Sequence, residues 1–257
     1  MTYSTAATRK ELQFTTAIAR PSRGMSARRV QEWLGYHGLG TAIDADFGVA
    51  TESSVKAFQL LIGKPQSGKV DAATWAALTA SLSNALDYSP TSASLDAATL
   101  QVAQAHLAQH PREFGGDNRG PWVRAYMDGN EGVEWKWCAG FVTFVLKQAA
   151  YAVGVAMPFP GSFSCDVLAA QAQQAGRFVK GSALAGNSQV RDSLGAVFLF
   201  LVRRTSTDWT HVGLGFNFSG DTFETIEGNT NDEGSSNGYE VCQRRRGIAS
   251  KDFIRLT

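Results

Sequence analysis

Hydrophobic positions divide the chain into a helical first part and a strand-rich last part. Between residues 25 and 78, apolar residues recur every three or four positions, which predicts three short helices. Residues 96–111, 141–155 and 166–175 predict further helices. From residue 196 onward, short apolar runs alternate with turn residues, as in an antiparallel sheet. Helices followed by strands indicate an α+β fold.

Polar and small residues between these regions predict the domain boundaries. Residues 1–23 form a leader, and residues 24–80 form a small three-helix module of a size that can fold alone. Residues 81–95 are rich in serine and contain Pro90, a composition typical of a linker. The larger domain then spans residues 96–257.

Composition and charge exclude several classes of protein. The 257 residues carry a formal net charge of +1, and 44% are hydrophobic, enough for a substantial core. Lys and Arg are scattered except at Arg244, Arg245 and Arg246, which we expect to be a solvated strand edge or loop. Nucleic acid is therefore not an expected partner. Nothing in the pattern requires an oligomer, so we expect a monomer.

The first residues do not have the pattern of a secretory signal. Arg9, Lys10 and Glu11 lie where a signal peptide has its apolar core, and no later run approaches the roughly 18 apolar residues of a membrane span. The sequence therefore predicts a protein made in the cytoplasm without a signal peptide and without membrane insertion.

The small module resembles a known family. Residues 31–35 (Gln-Glu-Trp-Leu-Gly), 46–51 (Asp-Phe-Gly-Val-Ala-Thr), 55–59 (Val-Lys-Ala-Phe-Gln) and 74–78 (Thr-Trp-Ala-Ala-Leu) are similar to the peptidoglycan-binding domain type 1. The Asp-Gly pairs of that family are replaced here by Asp44-Ala45 and Ser67-Gly68. The resemblance implies peptidoglycan as the partner.

Two groups of residues in this module have different expected roles. We expect Trp33, Phe58 and Trp75 to be core residues. We expect the segment around the predicted helix cap Thr51 to contact the wall; its candidate residues are Asp46, Phe47, Gly48 and Thr51.

Cys138 is the candidate nucleophile of the larger domain. It directly precedes the long apolar run 141–155, so it is expected at a helix N-terminus, where unpaired N–H groups favour a thiolate. The alternative is a small buried hydrophobic residue. The other cysteines, Cys165 and Cys242, are widely spaced, so neither a disulfide framework nor a CxxC pair is predicted.

His211 is the candidate base, because it lies in an apolar, glycine-spaced strand, whereas His106 and His110 are expected to be solvated. A three-residue hairpin loop at 218–220 would place His211 opposite Glu227, with Asn229 on the same face. A two-residue loop at 219–220 would turn Glu227 to the opposite face. The sequence leaves both registers open.

These residues complete a second resemblance. Residues 137–142 (Trp-Cys-Ala-Gly-Phe-Val), 211–214 (His-Val-Gly-Leu) and 226–230 (Ile-Glu-Gly-Asn-Thr) resemble the CHAP domain, a relative of the NlpC/P60 enzymes with a papain-like core. The resemblance implies cleavage of a peptidoglycan amide bond. Cys138 would be the nucleophile, His211 the base and then the acid, and Glu227 the orienting group, with Asn229 helping to hold the site.

A calcium site is a further hypothesis. Asp128, Asn130 and Glu134 have a spacing similar to that of oxygen ligands, and some relatives bind calcium near this position. They do not complete a known loop motif, so an ordinary solvated loop is the alternative. No other cofactor is predicted.

The leading hypothesis is a modular hydrolase of the bacterial cell wall, either an N-acetylmuramoyl-L-alanine amidase or a peptide endopeptidase. A phage endolysin and a secreted antibacterial effector both fit a chain that lacks a signal and acts on the wall after release or delivery. The first alternative is a non-catalytic wall-binding protein with a papain-like scaffold. The second is a papain-like enzyme that acts on protein substrates or transfers acyl groups.

Overall fold

The computed structural model describes residues 3–231 and 237–257. Within these residues, the chain forms α-helices followed by an antiparallel sheet, which confirms the α+β class. The helices are α1 Ala6–Leu12, α2 Met25–Tyr36, α3 Val49–Leu61, α4 Ala72–Leu78, α5 Ala80–Asp87, α6 Leu95–Leu107, α7 Pro121–Tyr126, α8 Cys138–Val153, α9 Cys165–Gln174 and α10 Ser188–Asp192, with a short 3-10 helix at Gly181–Ala183. The strands are β1 Phe178–Val179, β2 Val197–Arg203, β3 Trp209–Ser219, β4 Thr222–Thr230, β5 Glu240–Gly247 and β6 Lys251–Arg255.

The chain divides into two compact units. The helical unit comprises Ser4–Asn84 and Arg112–Val133, and the sheet unit comprises Tyr3, Ala85–Pro111 and Glu134–Thr257. In the helical unit, Trp33, Phe58 and Trp75 are each at most 3% exposed, which confirms their predicted place in the core. Helix α3 begins directly after Gly48, so Thr51 lies within its first turn and does not cap it. The Thr51 hydroxyl is buried and accepts a hydrogen bond from Gln31.

The predicted leader is part of the helical unit. The Thr5 side chain accepts a hydrogen bond from the Thr8 N–H and so caps α1. Glu11, at the end of α1, is 2% exposed, and its Oε1 lies 2.7 Å from Arg124 Nε. The prediction of a leader over residues 1–23 was therefore wrong in its structure, because Glu11 of that segment has a buried counter-ion 113 residues further along the chain.

The predicted linker 81–95 is wrong in its first half. Residues 80–87 form α5, and Leu82, Ala85 and Leu86 are buried. These three residues are at positions i, i+3 and i+4, which lie on one helix face. The small polar residues around them obscured this amphipathic pattern in the sequence.

Residues 112–133 also lie elsewhere than predicted. They belong to the helical unit, whereas the sequence placed them in the larger domain that begins at residue 96. Arg124 of α7 accounts for this placement, since its guanidinium is bonded to Glu11, Glu32 and Glu131. A buried guanidinium needs carboxylate partners, and this unit supplies them.

The sheet unit is built on one antiparallel sheet with the strand order β1-β6-β2-β3-β4-β5. Helix α8 packs against β3 and β4, and α9 packs against β3. Phe198, Phe200, Phe223 and Phe253 form a buried aromatic cluster with Leu184 and Leu194. This packing brings the N-termini of α8 and α9 to the central strands, where the candidate site lies.

In the described parts of the chain, no helix is both long and apolar enough to span a bilayer.

Candidate active site

Cys138 is the first residue of α8, as predicted, and is 3% exposed. No side chain caps this helix. Instead, the N–H of Trp137, the preceding residue, donates a hydrogen bond of 2.9 Å to Asn229 Oδ1. The first N–H groups of a helix have no partner within it, so the thiol lies where the backbone favours negative charge.

Asn229 holds the start of α8 rather than the histidine. Its backbone has a φ of 55°, and its Nδ2 donates a 2.6 Å hydrogen bond to the Gly238 carbonyl. The neighbouring Gly228 allows this close approach, because a Cβ there would lie 2.7 Å from Phe141 Cβ and 2.9 Å from the Trp137 ring. Together these contacts fix the end of β4 against the nucleophile helix.

The hairpin between β3 and β4 has neither of the two registers considered from the sequence. Leu214 pairs with Ile226, Phe216 pairs with Glu224, and Ser219 pairs with Thr222. The pairing shifts between Phe216 and Ser219, where Asn217 has a φ of 50°. Both loops considered from the sequence were therefore wrong: the turn lies at Gly220 and Asp221, and the bulge before it shifts the pairing by one residue. Beyond the bulge, the register differs by two residues from that of the three-residue loop.

A shift of two residues leaves Glu227 on the same face as His211. Continuing the observed register places Glu227 opposite Gly213, and a Cβ on Gly213 would lie 2.8 Å from Glu227 Cγ. The missing side chain at Gly213 gives the carboxylate the space to reach along the strand to the imidazole. His211 Nε2 lies 2.8 Å from Glu227 Oε2, so the predicted contact forms, although by a different register.

The protonation of His211 follows from this contact. An ionised carboxylate only accepts hydrogen bonds, so Nε2 carries a proton and donates a hydrogen bond to Glu227 Oε2. Nδ1 is then the nitrogen that can take a proton from Cys138. Nδ1 is buried and has no well-formed hydrogen bond within the described residues. The thiol and the imidazole are nevertheless close enough to alter each other's pKa.

Electrostatics favour a thiolate and an imidazolium at this site. A hydrogen bond from Cys165 is the largest influence on the Cys138 thiol and lowers its pKa well below the usual value. Burial acts in the opposite direction, whereas His211 and the Val212 N–H lower this pKa further. Burial alone would lower the pKa of His211, but hydrogen bonds and charges from Cys138 and Glu227 raise it to about 9. Such an ion pair is the reactive form of a cysteine nucleophile.

Arg246 is a site residue that the sequence interpretation missed. Its Nε lies 2.8 Å from Glu227 Oε1 and its Nη2 lies 2.6 Å from Glu227 Oε2. The expectation that residues 244–246 form only a solvated edge was therefore wrong for Arg246. Three consecutive arginines carry no signal that one of them faces a buried carboxylate.

Cys165 is the second residue that was missed. It is the first residue of α9, and its Sγ lies 3.9 Å from Cys138 Sγ. Both cysteines are free. Their separation of 27 residues matches no motif spacing, so only the approach of two helix N-termini reveals the pair.

The predicted wall-contacting segment is partly buried. Phe47 is fully buried and Thr51 is 2% exposed, so neither side chain is available for a direct contact. Asp46 is half-exposed and pairs with Arg23 Nη2 at 3.0 Å. Gly48 precedes α3 as its cap. Wall binding at this segment remains a prediction, now restricted to Asp46 and Gly48.

The remaining candidates lie outside the site. His106, expected to be solvated, is fully buried beside Gln148 Oε1, and burial lowers its pKa to about 4. Asn130 of the calcium hypothesis donates a 2.9 Å hydrogen bond to the Met127 carbonyl. Across residues 3–231 and 237–257, no three His, Cys, Asp or Glu residues gather as a metal site. Calcium binding by Asp128, Asn130 and Glu134 stays a prediction.

Comparison with known proteins identifies the first module. No curated protein sequence matches the chain. Residues 23–78 match the family model described as "Putative peptidoglycan binding domain". The match covers α2, α3 and α4 and ends before α5. Residues 23–78 are thus similar to a peptidoglycan binding domain, which supports peptidoglycan as the partner and association with the cell wall.

Proposed function

We propose that this protein is a cysteine-dependent hydrolase of peptidoglycan that cleaves an amide bond, as an N-acetylmuramoyl-L-alanine amidase or a peptide endopeptidase. The observation that carries the proposal is the arrangement of Cys138, His211 and Glu227, with Nε2 of the histidine 2.8 Å from the carboxylate. The peptidoglycan-binding match at residues 23–78 supports the substrate. The proposal includes a CHAP-like character of the sheet unit, which contains Cys138, His211 and Glu227.

The proposed reaction proceeds through an acyl-enzyme. The Cys138 thiolate attacks the amide carbonyl carbon, and the charge that develops on oxygen is met by the Cys138 N–H at the start of α8. The imidazolium of His211 gives its Nδ1 proton to the leaving amine as the C–N bond breaks. His211 then takes a proton from water, which attacks the thioester, and Cys138 leaves as the thiolate.

The proposed setting follows from the wall substrate. We propose that the protein is made in the cytoplasm and acts on the wall after release or delivery, either as a phage endolysin or as a secreted antibacterial effector. It would act as a monomer without a cofactor. Wall binding by the helical unit would concentrate the sheet unit on an insoluble substrate.

The test is digestion of purified peptidoglycan by the wild type and by Cys138→Ala, with mass analysis of the soluble products. We expect fragments from the wild type, and a loss of rate on the order of a thousandfold or more in the variant. Whole stem peptides with a free N-terminal alanine would indicate the amidase, and stem peptides cut internally would indicate the endopeptidase. Binding of both proteins to peptidoglycan, with no fragments from either across several wall types and with calcium added, would replace the proposal with the non-catalytic binder.

A further inference from the structure

A second thiol lies inside the candidate site. Cys165 Sγ is 3.9 Å from Cys138 Sγ, a distance at which either thiol can donate a hydrogen bond to the other. The two residues are 8% and 3% exposed, so water competes little for this contact. A hydrogen bond to a charged group is stronger when solvent is excluded.

The position of Cys165 is fixed by its neighbours on both sides. Ser164 caps α9 by accepting the Val167 N–H at 3.4 Å. Asp166 Oδ1 accepts the N–H of Trp209 at 2.8 Å, and Trp209 lies two residues before His211 on β3. The start of α9 is therefore attached to the strand that carries the candidate base.

The surrounding charges decide which sulfur donates. His211 faces Cys138 from β3 and can take its proton, with Glu227 of β4 and Arg246 of β5 behind it. Cys165 is instead next to Asp166 on its own helix. The hydrogen bond to Cys138, burial and the Asp166 charge all raise the pKa of Cys165 above its usual value. Cys165 therefore keeps its proton, and Cys138 is the acceptor.

We propose that Cys165 is a further catalytic residue, whose S–H group donates a hydrogen bond to the Cys138 thiolate and holds that thiolate in place for attack. This inference rests on the proposed hydrolysis. No bond to Cys165 forms or breaks in the reaction: the electron pair that attacks the amide carbonyl comes from Cys138, and the proton that reaches the leaving amine comes from His211.

The experiment measures the Cys138 thiolate without substrate. The thiolate absorbance at 240 nm is measured as a function of pH in the reduced full-length wild type, in Cys165→Ala and in Cys165→Ser. From each curve we subtract the absorbance of the same protein carrying the additional substitution Cys138→Ala. We expect the midpoint to move upward in Cys165→Ala, because the donor is lost, and to return toward the wild-type value in Cys165→Ser, because a hydroxyl also donates. Hydrolysis at neutral pH should fall roughly tenfold in Cys165→Ala and recover in Cys165→Ser.

Cys242→Ala is the matched control, because it removes another buried thiol from the same unit. Its midpoint should equal that of the wild type, and its melting temperature shows the cost of losing a buried thiol. An unchanged midpoint in a folded Cys165→Ala variant would overturn the role of Cys165. A shifted midpoint with no hydrolysis by any variant, the wild type included, would instead reject the proposed function and leave the thiol contact standing.

Discussion

At the scale of single residues, the Glu227 carboxylate is the most constrained group of the site. Oε1 accepts from Thr225 Oγ1 at 2.6 Å and from Arg246 Nε at 2.8 Å. Oε2 accepts from His211 Nε2 at 2.8 Å and from Arg246 Nη2 at 2.6 Å. Two partners on each oxygen leave the carboxylate one orientation. Although burial opposes it, Arg246 and then His211 hold the pKa of Glu227 well below its usual range.

Replacing Arg246 tests this support. Arg246→Gln removes a bidentate donor from a buried carboxylate, so we expect the proposed hydrolysis at neutral pH to fall about tenfold. The melting temperature should also fall. A carboxyl whose pKa is lowered on folding contributes stability above its unfolded pKa of about 4.5 and loses it as the pH falls. The deficit of the variant, measured by thermal unfolding across pH, should therefore shrink under acidic conditions.

Arg245→Gln is the control, since Arg245 is the adjacent residue of β5, is exposed, and donates a 3.0 Å hydrogen bond from Nε to the Thr222 hydroxyl. It should leave both rate and melting temperature nearly unchanged. If the two substitutions lowered the hydrolysis rate and the melting temperature equally, Arg246 would act only through its positive charge and not through its hydrogen bonds to Glu227.

At the scale of elements, two features join the strands to the nucleophile helix. The bulge at Asn217 sets the pairing of β3 with β4 and thereby the face of Glu227. Asn229 and Gly228 attach the end of β4 to the start of α8. A helix N-terminus without a side-chain cap is thus held by a strand, so the position of Cys138 depends on the sheet.

The close approach at Gly228 can be tested by adding one methyl group. In Gly228→Ala the new Cβ would lie 2.7 Å from Phe141 Cβ and 2.9 Å from the Trp137 ring, so α8 must shift. We expect a loss of about 1–3 kcal/mol in the free energy of unfolding, measured by denaturant titration, together with reduced hydrolysis.

Gly247→Ala is the matched change, because its Cβ would meet only the Asp221 carbonyl oxygen at an ordinary 3.7 Å. It should alter stability by no more than about 0.5 kcal/mol. A Gly228→Ala variant as stable and active as Gly247→Ala would contradict the role given to this contact.

At the scale of the whole molecule, the helical unit is assembled from two separate stretches of chain. The matched region 23–78 supplies Glu32, the segment before it supplies Glu11, and the later segment 112–133 supplies Arg124 and Glu131. Burial would lower the pKa of Arg124, but Glu11 and Glu32 raise it above the usual value. The family match therefore covers less chain than the folded unit needs.

Removing the shared cation should destabilise this unit. Arg124→Met leaves the buried carboxylates of Glu11 and Glu32 without their central partner. We expect the free energy of unfolding to fall by about 3–5 kcal/mol, measured by circular dichroism during denaturant unfolding. Binding to purified peptidoglycan should weaken as the unit unfolds.

Arg23→Met provides the comparison, since Arg23 is 76% exposed in its ion pair with Asp46. An exposed pair of this kind contributes at most about 1 kcal/mol. If Arg124→Met were no more destabilising than Arg23→Met, the segment 112–133 would not be an essential part of the helical unit.

The sequence by itself determined the features that depend on neighbouring residues. Apolar spacing predicted the helices of the binding module, and a continuous apolar run at 196–202 predicted the strand that the structure has at 197–203. The order of motifs indicated both resemblances. Cys138 at a helix N-terminus followed from a cysteine directly before an apolar run. Each of these inferences rests on periodicity or adjacency within a few residues, which a single chain displays directly.

Only the tertiary structure decided the features that depend on distant contacts. The contact of His211 with Glu227 required a bulge that the turn residues did not reveal. Arg246, Cys165 and Arg124 received their partners across 19, 27 and 113 residues. Buried charges and thiols are stabilised by whichever groups the packed chain brings to them, and residue type alone does not name those groups.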